Sequence, residues 1–73
     1  MTIDRVKRVL AEHLEIDENE ITESTTLDDM GVDSLDAVEI IMELEDEFGI
    51  EIEAEEAGRS VKEFVSYIDS KLA

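Results

Sequence analysis

The chain has 73 residues, with 22 Asp and Glu against 6 Lys and Arg, for a formal charge of −16 at pH 7. It has no cysteine, so no disulfide is expected, and without a Cys/His cluster no zinc site is expected. A surface this acidic repels phosphate backbones and anionic membranes, which argues against nucleic acid as a partner and favours basic patches on other proteins. No apolar run approaches the roughly 20 residues of a membrane span, so no membrane insertion is expected. Met1 to Arg5 lack the basic start and apolar stretch of a signal peptide, and a cytoplasmic monomer is the simplest expectation. The 42% hydrophobic content and its helical spacing argue against disorder and for one domain over residues 1–73.

Ile3, Val6, Val9, Leu10 and Leu14 recur at helical spacing and predict a first helix over about residues 3–15. Thr2 can cap it, and Asp4 suits its first turn. His13 lies beside that apolar stripe and reads as a packed edge residue, since no second ligand stands near it in sequence.

From Ile16 to Val32 the helical pattern breaks. Asp17-Glu18-Asn19 reads as a turn, and Ser24-Thr25-Thr26 as residues that bond to nearby backbone. Ile21, Leu27 and Met30 are expected to pin this loop to the core. A loop this long in a small domain is usually functional. It delivers Gly31 and Ser34 to one end of the molecule.

Residues 34–48 read as the second helix, capped by Asp33 and stopped at Gly49, which suits a left-handed position. At about 100° per residue its apolar residues fall on two faces. Ala37, Ile40, Ile41, Leu44 and Phe48 form a broad core stripe. Leu35, Val38 and Met42 lie on the opposite side, with Asp36, Glu39, Glu45 and Asp46 among the acidic residues of the same helix. An apolar strip rimmed by carboxylates fits an apolar and basic partner.

Ile50-Glu51-Ile52-Glu53 alternates but has no evident partner strand, so an extended connector is expected. Ala54 to Ala57 can make one short or frayed helical turn, stopped by Gly58. Ser60-Val61-Lys62-Glu63 is a capping box, and Val61, Phe64, Val65, Ile68 and Leu72 complete a last helix over about 61–72. Tyr67 needs no special role.

Ser34 sits between two carboxylates at the start of the second helix, with Asp33 able to take over the capping. No base stands near it in sequence, so the hydroxyl is presented for modification by another enzyme. There is no nucleophile–base pair, no glycine-rich phosphate loop and no metal constellation, so no catalytic or metal residues are assigned. Asp28, Asp29, Asp33 and Asp36 do not fall at the ligand positions of a calcium-binding EF-hand loop. Clustered carboxylates can still hold cations loosely.

Gly31 to Phe48, with Leu27-Asp28-Asp29-Met30 before it and Ile50-Glu51-Ile52 after it, resembles the attachment motif and second helix of acyl carrier proteins, the phosphopantetheine-dependent carrier family. The resemblance covers nearly the whole chain. It implies an all-α, small right-handed bundle of three to four helices. It further implies that a phosphopantetheinyl transferase attaches 4′-phosphopantetheine from coenzyme A to Ser34, flanked by the motif residues Asp33 and Leu35. The prosthetic thiol of such a carrier holds acyl groups as thioesters, which the family sequesters among its core residues. Leu35, Asp36, Val38, Glu39, Met42, Glu45 and Asp46 match the face that docks acyl-chain synthesising and transferring enzymes. The motif favours fatty-acid synthesis, with polyketide, amino-acid or D-alanyl cargo as the alternative within the family and an unmodified acidic interaction module as the alternative outside it. The chain departs from the family in having Glu53 where a proline is common, and only Gly58-Arg59-Ser60 between Ala57 and Val61. A shortened third helix follows from that departure.

Overall fold

The computed structural model describes all residues 1–73, as α1 (Thr2–Leu14), α2 (Ser34–Phe48), α3 (Ala54–Ala57) and α4 (Val61–Leu72). No strand is formed, and the protein is a small helical bundle. The bounds of α2 and α4 are those expected from periodicity and capping. Helix α1 begins and ends one residue earlier than expected.

The expected cap of α1 is corrected by the structure. Met1 occupies the N-cap position without a side-chain bond. The Thr2 hydroxyl instead donates to the Asp69 carboxylate of α4, a long-range partner that local pattern cannot reveal. At the other end Glu15 adopts the left-handed conformation, φ 57°, and its amide bonds to the Ala11 carbonyl. Glycine is the usual residue there, so no residue type marks this stop.

Helix α1 packs against both α2 and α4, and α3 packs against α4. The helices contribute Val6, Leu10, Ile40, Leu44, Phe64 and Ile68 to the deepest part of the core. Each large side chain fully buried in this way stabilises the fold by about 1.5–3 kcal/mol. Every buried residue is apolar and no polar side chain is buried, so the core holds no polar group that must be paired.

The long loop is attached at two levels. Ile21, Leu27 and Val32 are buried, and Met30 packs against them partly exposed. The loop backbone also runs along Arg59 and the first turn of α4. Leu27 N–H donates to the Arg59 carbonyl, Val61 N–H to the Thr25 carbonyl and Lys62 N–H to the Glu23 carbonyl, each at 2.9 Å. Arg59 adds an ion pair to Asp28 at 2.8 Å. Arg59 and the first turn of α4 therefore hold the loop that leads to α2.

The connector between α2 and α3 is extended and anchored. Ile52 is buried, and its N–H donates to a Glu45 carboxylate oxygen at 3.0 Å. Glu53 N–H donates to the Tyr67 hydroxyl at 3.1 Å, so Tyr67 has a structural role that its sequence context did not suggest. The α3 turn is formed, with Ala57 buried and the Glu56 and Ala57 amides both bonded to the Glu53 carbonyl at 2.9 Å. Gly58 ends it at φ +84°, where an added Cβ would come within 2.7 Å of the Glu63 Cβ.

Candidate functional site

The approach to α2 is a series of local bonds. Thr26 N–H donates to the Asp29 carboxylate, and Asp29 N–H donates back to the Thr26 hydroxyl, both at 3.1 Å. This reciprocal pair sets a tight turn through Met30 to Gly31. Gly31 then takes φ 71°, a conformation that L-residues with a Cβ rarely adopt. Val32 is buried directly before the helix and fixes the direction of entry.

Asp33 follows as the N-cap, in extended backbone at φ −86° and ψ 178°. Its carboxylate accepts the Asp36 amide at 2.9 Å. Ser34 is the first helical residue and is exposed. Its hydroxyl is not needed for the cap. Its position at the N-terminal end of a 15-residue helix places it where the backbone dipole favours a phosphate. An exposed, uncommitted hydroxyl at such a point fits a phosphodiester group.

Past Ser34 the two faces of α2 separate as expected. Ile40, Leu44 and Phe48 are buried, and Ala37 and Ile41 are partly buried against them. Leu35, Val38 and Met42 are 72%, 53% and 58% exposed, so α4 does not fold over this strip. Glu39 and Asp46 are exposed on the same helix, while Asp36 and Glu45 are half-buried.

The carboxylates of α2 differ in their partners. Glu45 also accepts the Ile52 amide, which ties it to the connector. Glu47 lies between Arg5 and Arg8, at 2.9 and 3.0 Å. The Arg5 hydrogen bond, helped by the charge of Arg8 and opposed by desolvation, holds its pKa below the usual glutamate value. Arg5 also stacks over the Phe48 ring at 4.3 Å. With Arg59 paired to Asp28, half of the chain's six cationic side chains are engaged away from the exposed strip. Asp36, Glu39 and Asp46 have no Lys or Arg partner, so their charge faces outward uncompensated by these cations.

His13 is packed at the edge of α1, its side chain only 16% exposed. Folding brings α1 against α2 and sets the ring beside Asp36, Glu39 and Glu43. The spacing of Asp36, Glu39 and Glu43 at i, i+3 and i+7 was the available signal, but its meaning depended on the helix it faces.

Comparison with known proteins agrees with this geometry. The family model described as the phosphopantetheine attachment site matches residues 4–68, which include the whole of α2 and the turn before it. The chain is 41% identical to the acyl carrier protein of Zymomonas mobilis subsp. mobilis, in an alignment covering 99% of this chain and 96% of that protein. A protein of this kind bears a covalent 4′-phosphopantetheine and acts as a carrier, not as a catalyst. A family match over most of the chain and a relative aligned along nearly its full length lead to one conclusion: this chain belongs to the acyl carrier protein family of phosphopantetheine-dependent carriers.

Proposed function

We propose that Ser34 is the residue that bears the 4′-phosphopantetheine, and that the carrier serves fatty-acid synthesis or a related acyl pathway in the cytoplasm. The observation that carries this reading is the division of labour at the start of α2. Asp33 makes the cap bond at 2.9 Å, and the adjacent exposed serine is left available.

Loading then requires a phosphopantetheinyl transferase. The Ser34 oxygen attacks phosphorus in the diphosphate of coenzyme A, forming a phosphodiester and releasing the nucleotide part of the coenzyme. The serine proton goes to a base on the transferase, because the chain's one histidine is directed toward α2 carboxylates. Once attached, the group supplies a terminal thiol that holds acyl chains as thioesters. Leu35, Val38 and Met42 give enzyme partners an apolar contact beside the loaded residue. Asp36, Glu39, Glu45 and Asp46 give basic patches on those enzymes an electrostatic guide.

Cargo class is tested by offering the loaded protein to a malonyl-transferring enzyme of fatty-acid synthesis and, separately, to amino-acid-activating enzymes, with intact mass as the readout. The reading expects a malonyl mass increment and no aminoacyl increment. The reverse pattern supports an amino-acid or D-alanyl carrier.

A further inference from the structure

We propose that Met42 is a reversible oxidation site, at which hydrogen peroxide converts the thioether to a sulfoxide and so slows docking of the loading enzyme on α2. The inference rests on the reading above that Leu35, Val38 and Met42 are the apolar contact beside Ser34. The chain has no cysteine, so its three methionines are its only sulfurs. They differ in setting. Met1 is 92% exposed at the start of α1, outside the strip. Met30 is partly buried in the loop and packs against the core. Met42 is 58% exposed in the middle of α2 and takes no part in the core. It lies eight residues past Ser34, about 12 Å along the helix axis.

The surroundings of the thioether leave it open to attack. His13, Glu39, Glu43 and Asp46 line the shallow groove around Met42, and no other apolar side chain does. Carboxylates on a chain of net charge −16 oppose anionic oxidants and leave a neutral peroxide unopposed. The sulfur lone pair forms an S–O bond to one peroxide oxygen as the O–O bond breaks. The departing hydroxide takes the proton of the sulfur-bound oxygen and leaves as water. Sulfur loses two electrons and the peroxide gains them. A thiol-dependent methionine sulfoxide reductase reverses the change.

The fold and the docking strip respond differently. Met42 is outside the core, so its oxidation leaves the helix packing in place. The strip loses its apolar character, because a sulfoxide is polar and must be stripped of water when an apolar partner surface closes over it. Oxidation therefore acts on encounter with partner enzymes and not on stability.

The test treats the unloaded full-length protein with hydrogen peroxide and removes the peroxide with catalase. Peptide mass mapping then locates the sulfoxides, and loading from coenzyme A by a phosphopantetheinyl transferase is timed. Met42 is expected to oxidise faster than Met30. The oxidised protein should load about ten-fold more slowly than the untreated protein, with an unchanged unfolding midpoint, and methionine sulfoxide reductase should restore the rate. Each variant is compared with its own untreated form. Met30→Leu should lose rate on oxidation as the natural protein does. Met42→Leu, whatever its starting rate, should keep that rate within two-fold. Met42 that stays reduced while Met30 oxidises would overturn the proposal, as would undiminished loading of protein oxidised at Met42, or a Met42→Leu variant that loses rate as the natural protein does. Untreated natural protein that takes up no phosphopantetheine would overturn the loading reading itself, and this proposal with it.

Discussion

The carboxylate of Asp33 accepts the backbone amide of Asp36 at 2.9 Å. This bond satisfies one of the unpaired donors of the first turn of α2. It also relieves Ser34 of that duty, so fold and modification depend on different side chains. Asp33→Ala is expected to destabilise the protein by about 1 kcal/mol, the ordinary cost of losing an N-cap. Asp33→Asn should retain most of that stability. Urea unfolding checks both, and an Asp33→Ala variant as stable as the natural protein would show that the cap is idle.

Asp46→Lys should slow phosphopantetheine loading while leaving the unfolding midpoint nearly unchanged, because Asp46 is exposed and no salt bridge holds it. Glu39→Lys should slow it similarly. Loading of the natural protein should also slow as salt rises, since exposed charges are screened beyond about 8–10 Å at ordinary ionic strength. Stopped-flow or discontinuous mass kinetics at two salt concentrations make the comparison. Rates independent of salt would argue against electrostatic steering.

Glu63 closes the capping box of α4. Its carboxylate is held below the usual glutamate pKa, first by the Ser60 hydroxyl and then by the Arg59 and Ser60 amides. A lowered folded pKa gives stability that is present above the unfolded value and lost as pH falls through the folded value. Glu63→Gln keeps an acceptor for the box but cannot ionise. The stability difference between the natural protein and this variant should therefore shrink on acidification below the usual carboxylate range. Thermal unfolding at several pH values measures it, and a difference that grows toward acid would contradict the assignment.

Much of this was legible in the sequence because it is written locally. The apolar spacing of α1, α2 and α4 follows one period, and Asp33, Gly49 and Ser60-to-Glu63 mark ends by their own chemistry. The exposed strip Leu35, Val38 and Met42 could be read because one helix cannot turn two opposite faces to the same core. What was not legible depends on long-range contact. Thr2 reaches Asp69, Tyr67 reaches Glu53, and His13 meets three carboxylates of another helix. The pairing of residues 23–27 with 59–62 was also hidden, since it uses backbone groups and leaves no side-chain pattern.

Residues 54–58 should exchange their amides faster than residues 40–47. Helix nucleation is costly for a single turn, and α3 has four residues. Ile52 and Ala57 anchor its two sides by burial, so the segment should open locally without global unfolding. Tyr67→Phe should speed exchange at Glu53 specifically, by removing its acceptor. Hydrogen exchange on the unmodified protein decides the point. Protection across 54–58 equal to that of 40–47 would show α3 to be as stable as α2.

The central claim is that Ser34 is a passive acceptor whose hydroxyl the fold leaves free. Its most direct test is intact-mass measurement of the natural protein and of Ser34→Ala after incubation with coenzyme A and a phosphopantetheinyl transferase. The natural protein should gain one phosphopantetheine. Ser34→Ala should gain none, while its circular dichroism and unfolding midpoint stay close to those of the natural protein because Asp33 still caps α2. A phosphopantetheine mass on Ser34→Ala, or none on the folded natural protein, would contradict the account.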